Sequence, residues 1–397
     1  MTAAATGYEA TFYNPAGLTL NGRRELSFGY FRILSNLEIK TARGTLDHTL
    51  EDPDVFLIGV VAPAGRLAFG FASYVLPTTL LHVVAPAPEQ PFFPYWSNRT
   101  QRLLLLPGLA ARPFDWLSIG VSVNFFAGLA GSANASVGPT REVEAGVSEE
   151  LPTKAAPHVG LRIDPLPELA FGAVYRHAFS VPYATSTRNV IAGAPLDIGV
   201  DAEALQSPHE IAVGTRLKLG KIELTFDGTY LLWSEERGSF VRVRALVSGV
   251  RIDRPPPEAQ YRDVFNLRLG AAIEHRVDRT LTVHWRAGQF YEPSFVLDQP
   301  GRSNLLDGPK LGWSLGTGLE LRPSGIRIDL HTQLVNMLSR RHDKVVSSIE
   351  QAREDPGALA DENGAPGVQI TNAGYPFISG SGRVLTLGAT LTLEVDP

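Results

Sequence analysis

The chain has 397 residues, of which 44% are hydrophobic and only 19% charged, below the roughly 25% charge of an average soluble domain. That hydrophobic content excludes disorder, and a net charge of −5, with 30 Arg and 6 Lys in runs no longer than two, argues against a nucleic-acid binder. The absence of cysteine excludes a disulfide framework, a thiolate metal site and a cysteine nucleophile.

The opening Met1-Thr2-Ala3-Ala4-Ala5-Thr6-Gly7 has neither the basic nor the apolar region of a signal peptide. Nowhere do about 18 apolar residues run together, so a transmembrane helix is excluded. From residue 25 onward the pattern has period two. It predicts strands at 25–34, 55–62, 67–77, 101–112, 116–127, 156–164, 168–177, 209–219, 221–232, 262–277, 280–291, 311–322, 325–337 and 383–395. The alternation is strictest after Trp116, where Leu117, Ile119, Val121, Val123 and Phe125 oppose Ser118, Gly120, Ser122 and Asn124.

Fourteen is an even number, and the connections alternate in length. Short ones lie near 63–66, 112–115, 165–167, 220, 278–279 and 323–324. Long ones fill 35–54, 78–100, 128–155, 178–208, 233–261, 292–310 and 338–382. Short turns on one rim and long loops on the other predict an all-β fold, a transmembrane antiparallel up-and-down β-barrel of an outer-membrane type. In lipid such a sheet must close, because every backbone polar group has to be paired within the protein. No repeat of 40–50 residues marks a propeller. Alternation alone leaves open a soluble barrel with its apolar face inward. The polar faces carrying Glu223, Asp227, Arg268, Glu274, Arg286 and Asp329 favour a wet lumen instead. Tyr30, Tyr74, Trp116, Tyr175, Trp233, Trp285 and Tyr291 are expected in interface girdles.

The connection 78–100 departs from the others. Leu80, Leu81, Phe92, Phe93, Tyr95 and Trp96 crowd into a segment that should face water. Such a cluster marks a binding surface or a packed lid, and these six are the candidate substrate-binding residues.

Enzyme motifs do not survive their context. Gly312-Trp313-Ser314-Leu315-Gly316 matches G-x-S-x-G, but that motif needs a sharp strand-to-helix turn and here lies inside an alternating strand. The nine His residues show no metal-ligand spacing. Asp52, Asp54, Glu354, Asp355, Asp361 and Glu362 read as solvated loop carboxylates before they read as a calcium site. No catalytic residue, metal ligand or cofactor is assigned.

Three segments resemble FadL-type outer-membrane transporters. Asn14-Pro15-Ala16, within Ala10–Leu18, resembles that family's N-terminal Asn-Pro-Ala. Ser207-Pro208 through Tyr230-Leu231-Leu232-Trp233-Ser234 resembles its middle hairpin. Arg286-Ala287-Gly288 leading to Pro293-Ser294 resembles its Arg-Ala-Gly strand end. The resemblance implies a fourteen-stranded barrel over 25–397 and an N-terminal hatch over 1–24, with Asn14, Pro15, Ala16 and Gly17 as gate residues. It further implies passive uptake of hydrophobic small molecules, such as long-chain fatty acids or aromatic hydrocarbons, across a bacterial outer membrane. The expected partners are those molecules, detergent in vitro, membrane lipid and the barrel-assembly machinery, with no nucleic acid and a monomeric state. Two departures stand out. Some two dozen residues form a short hatch for this family, so a truncated one is expected. The C-terminus lacks a final aromatic, although Thr386-x-Gly388-x-x-Leu391-x-Leu393 is similar to the assembly signal. A general porin, an outer-membrane lipid hydrolase and an adhesive barrel remain as alternatives.

Overall fold

The computed structural model describes residues 1–46, 52–76, 86–87, 90–99, 103–127, 129–137, 143–150, 153–191, 194–236, 238, 240–247, 250–254, 258–299, 303–344, 373–374 and 376–395. Among them, fourteen strands form one closed antiparallel barrel. They are β1 (Arg24–Thr41), β2 (Asp54–Ala64), β3 (Leu67–Val75), β4 (Leu104–Phe114), β5 (Leu117–Ala127), β6 (Thr153–Leu166) and β7 (Leu169–Arg176). The second half comprises β8 (Glu210–Leu219), β9 (Ile222–Leu231), β10 (Val264–Arg276), β11 (Leu281–Glu292), β12 (Lys310–Leu321), β13 (Ile326–Asp343) and β14 (Phe377–Val395). Each strand pairs with its neighbours in sequence, and β1 closes the cylinder by pairing with both β2 and β14. The fourteen predicted strands are these fourteen.

Exposure decides between the two faces left open by alternation. On β5, Ile119 and Val121 are 46% and 50% exposed, while Ser118, Ser122 and Asn124 are at most 2% exposed. On β9, Ile222, Leu224, Phe226 and Tyr230 face out and Asp227 is buried. The apolar face therefore points outward on a closed sheet, which is the arrangement of a membrane-spanning barrel and the inverse of a soluble one. Tyr30, Trp116, Tyr175, Trp285 and Tyr291 are exposed on this belt. Towards the long-loop rim, tyrosine hydroxyls find polar partners on the next strand or just beyond it: Tyr30 donates to Asp54 at 2.6 Å and Tyr230 to Asp263 at 2.9 Å. An apolar ring with a hydrogen-bonded tip suits a membrane boundary. Two expected girdle residues are elsewhere. Tyr74 turns inward against Tyr8 and its neighbours, and Trp233 is buried in a cluster at the barrel mouth.

Three strands outrun their predicted spans the furthest. β1, β13 and β14 have 18, 18 and 19 residues, more than the ~9–11 that cross the hydrocarbon layer. The upper end of β1 keeps period two but exchanges polarity. On β1 the outward residues change from Leu26, Phe28 and Tyr30 to Asn36, Glu38 and Lys40, while the inward ones become Leu37 and Ile39. Water replaces lipid outside this taller wall, and a packed core replaces the lumen inside it.

The long connections also hold strands where loops are expected. Leu129–Val137, Val143–Glu150, Phe179–Ile191, Ala194–Ser207, Arg242–Val247 and Val250–Arg254 form a separate six-stranded sheet. Leu80 and Leu81 lie outside the described residues. A shallow depression of about 410 Å³ lies on the lipid face, lined by Leu161, Phe171, Val213 and Phe226. It belongs to the outer belt and not to either site described below.

Candidate functional site

Residues 1–23 lie inside the barrel, as three short turns: Gly7–Glu9, Ala10–Tyr13 and Pro15–Leu20. Asn14 separates the last two in extended conformation, and Pro15 starts the following turn, where its missing N–H costs nothing. The Asn14 carboxamide makes three contacts. Its Oδ1 accepts from the Ala16 N–H at 3.2 Å, and its Nδ2 donates to the Thr2 carbonyl at 2.9 Å and the Leu161 carbonyl of β6 at 3.0 Å. Its wall partner is therefore backbone and not a lumen side chain. Gly17 faces its own segment. A Cβ there would stand 2.1 Å from the Ala5 carbonyl oxygen, so Gly17 lets the segment fold on itself. Ala16 is fully buried.

The close approach to the wall comes from glycines of the strands, which in the sequence are only small residues on a polar face. A Cβ on Gly160 would lie 2.1 Å from Asn14 Oδ1, and one on Gly120 would lie 2.3 Å from the Pro15 carbonyl carbon. One on Gly172 would lie 2.6 Å from the Thr2 oxygen. Gly120 and Gly160 are register partners across β5 and β6, as are Gly172 and Gly214 across β7 and β8. The usable signal was glycine recurring at the inward phase of successive strands, since an interior strand glycine marks close approach of another backbone.

Short turns leave carbonyls without helical partners, and two buried arginines supply donors. Arg162 donates to the Ala3 carbonyl and is held by Asp164 at 2.6 Å. Arg176 reaches the Phe12 and Tyr13 carbonyls at 3.4 and 3.3 Å and pairs with Glu210 at 2.8 Å. Ser122 Oγ donates to the Thr11 carbonyl at 2.6 Å, and Asp227 accepts the Thr2 N–H at 2.6 Å. Across the lumen, β10–β13 and the turn after β12 carry ion pairs, Arg286–Asp329 at 2.6 Å and Arg322–Glu274 at 3.2 Å, and His284 Nε2 lies 2.9 Å from Glu320.

The second site is at the long-loop rim, inside the tall wall. Phe92 joins the segment around Leu305 by backbone bonds, its N–H to the Asn304 carbonyl at 3.2 Å and its carbonyl from the Leu306 N–H at 2.8 Å. A short helix, Pro94–Arg99, follows. Phe92, Phe93, Tyr95 and Trp96 are all buried, within one cluster that includes Ile39, Trp233, Tyr261, Phe295, Leu306 and Met337. Phe93 sits on Gly380 of β14, where a Cβ would come within 2.7 Å of its ring. Trp233 stacks on Phe295 with centroids 4.0 Å apart. Four of the six candidate binding residues are thus together. Sequence reading missed their partners on other loops and on the tall strands, because nothing local in Phe295 or Met337 points to Phe93.

Several polar groups at this cluster have partners within the chain. The Tyr95 hydroxyl donates to Glu292, which also takes Arg268 at 3.0 Å. Lys310 pairs with Asp307 at 2.6 Å. Burial pushes the Asp307 carboxyl up from its ordinary value, against the opposing pull of Lys310. Beside Trp233, burial and the neighbouring Glu203 and Glu235 push the Glu236 carboxyl up to about 7.

No protein-family model and no curated protein matches the chain. Among solved structures, the chain is similar to the toluene transporter TodX of Pseudomonas putida, at 14% identity and a TM-score of 0.61 over 100% of this chain and 96% of that one. It is similar to a FadL homologue of Pseudomonas aeruginosa, at 14% identity and a TM-score of 0.59 over 99% and 96%. The toluene transporter TbuX of Ralstonia pickettii gives 15% and 0.54 over 98% and 96%.

Proposed function

We propose that this chain, a transmembrane barrel of the FadL-type fold, is a passive outer-membrane channel for hydrophobic small molecules. The observation that carries the reading is the pairing of two features: a buried aromatic and aliphatic cluster at the mouth, and a lumen occupied by residues 1–20. An apolar solute gains by entering the first and has no open water column to pass through below it. The toluene transporters of similar fold support the same solute class. In this reading the 92–96 segment and its partners form the first binding site, and residues 1–24 are the hatch, with Asn14, Pro15, Ala16 and Gly17 fixing its turn. A general porin is disfavoured by the occupied lumen. A hydrolase is disfavoured by the place of Ser314, which sits in the β12 ladder opposite Gly288 and Gln333 and not on a strained turn.

Proteoliposomes test the reading. Labelled toluene or a labelled fatty acid should cross faster than in empty liposomes, while sugars of porin size should give no swelling. Sugar swelling without hydrophobic uptake would establish the porin instead.

A further inference from the structure

Lys310 opens β12 and has no exposed surface, although it stands among the rings of the outer cluster. Its Nζ lies 2.6 Å from Asp307 Oδ1 and donates to the Gly308 carbonyl at 3.1 Å. It also lies 4.2 Å from the centroid of Tyr95 and 5.9 Å from that of Phe295. Asp307 is itself 2% exposed, and its Oδ2 accepts the Phe295 N–H at 3.2 Å. Beside this pair, Glu292 is 3% exposed and binds both Arg268 and the Tyr95 hydroxyl. Each cation therefore faces a carboxylate supplied by the chain.

A lone ammonium in such surroundings would be a strong anchor for an anion, because charges interact more strongly where water is excluded. Buried charges persist only when paired, and here the partner is built in. An alkyl carboxylate entering the cluster would reach Lys310 only by displacing Asp307. Asp307 is three residues away on the same turn and is held by the Phe295 N–H, so it competes as an intramolecular group at high effective concentration. The incoming carboxylate would also shed its own hydration. An uncharged apolar ligand meets neither obstacle.

We propose that Asp307, by occupying Lys310, makes the outer cluster selective for uncharged apolar molecules over anionic amphiphiles of equal chain length. The inference rests on the cluster being the substrate site.

Binding of 1-decanol and of decanoate to the full chain in amphipol, at a pH where decanoate is ionised, tests it. The wild type should bind decanol tighter by about tenfold or more, the size of one charge-assisted hydrogen bond. In Asp307→Asn, decanoate should tighten by a similar factor while decanol changes little. The double variant Asp307→Asn with Lys310→Met removes both charges and should lose that gain. Equal wild-type affinities for the two ligands overturn the inference, as does a folded Asp307→Asn variant with unchanged decanoate affinity. If Asp307→Asn does not fold, the wild-type ratio decides alone. Binding of neither ligand by the wild type overturns the cluster as substrate site, which is a different result from loss of selectivity.

Discussion

At the scale of single residues, the inner wall is organised by what side chains leave out. Gly120, Gly160 and Gly172 admit Pro15, Asn14 and Thr2 to distances that any Cβ would block. Gly160→Val should therefore displace the N-terminal segment while leaving the β5–β6 ladder paired. The expected result is a barrel that still shifts mobility on heating and shows raised conductance in planar bilayers; a conductance equal to that of the intact chain would separate this contact from gating. Asn14→Ala is milder. It leaves the Thr2 and Leu161 carbonyls without their donor, at a cost of about 1–3 kcal/mol, and should raise conductance less. Glu236 offers a pH test at the same scale. Its carboxyl sits at about 7 in the folded chain against 4.5 when free. A raised carboxyl favours folding while the group is protonated, so that contribution is present below the free value and is lost as pH rises through the folded one. The Glu236 N–H bonds the Trp233 carbonyl at 3.0 Å, so Trp233 reports the change. Its fluorescence should shift between about pH 5 and about pH 8 as the loop loosens, and Glu236→Gln should flatten that shift.

At the scale of elements, the 92–99 segment is held by a bridge at Phe92 and by Phe93 buried on Gly380, with Trp96 in the same core. None of these contacts belongs to the barrel ladder. Phe93→Ala and Trp96→Ala should leave assembly intact and weaken affinity for a hydrophobic ligand by about 1.5–3 kcal/mol, the value of burying such a ring. Unchanged ligand affinity in both folded variants would move the site to another connection. The tall strands β1, β13 and β14 serve this element more than they serve the membrane. Their inward residues Ile39, Val335, Met337 and Ile378 belong to the cluster.

At the scale of the whole molecule, two halves of the lumen differ. The N-terminal segment leans on glycine-bearing strands between β2 and β8, while β10–β13 and the turn after β12 present ion pairs across from it. Deleting residues 1–20 should open that charged half along its length. Conductance and entry of bulky polar antibiotics should both rise, and a deletion as closed as the intact chain would remove the segment from gating. The exposed apolar belt on the fourteen strands also predicts recovery with outer membranes and extraction only by detergent. A folded, detergent-free monomer in aqueous buffer would contradict the orientation of that belt.

Period-two alternation in Leu117–Phe125 or Ile222–Tyr230 determined the strands, because pleating puts alternate residues on opposite faces whatever lies beyond them. Strand number and the rhythm of short and long connections followed from the same local signal, as did the apolar crowding at Phe92–Trp96. Direction was not local. Whether Ile119 faces lipid or a core depends on closure of the whole sheet, and on β1 the answer changes above Leu34 as the surroundings change from lipid to water. The sites were less legible still. Asn14 is legible as part of a motif, but its wall partner Leu161 is 147 positions away. Phe93 stands out as an apolar residue in a connection expected to face water, but it is buried with Gly380 and Leu306 beside it. Lys310 and Asp307 carry no local signal, because an ion pair three residues apart reads as surface until the rings of Tyr95 and Phe295 close over it. Local pattern sets which face a side chain takes; only the closed barrel and the packing of its distant loops decide what that face meets.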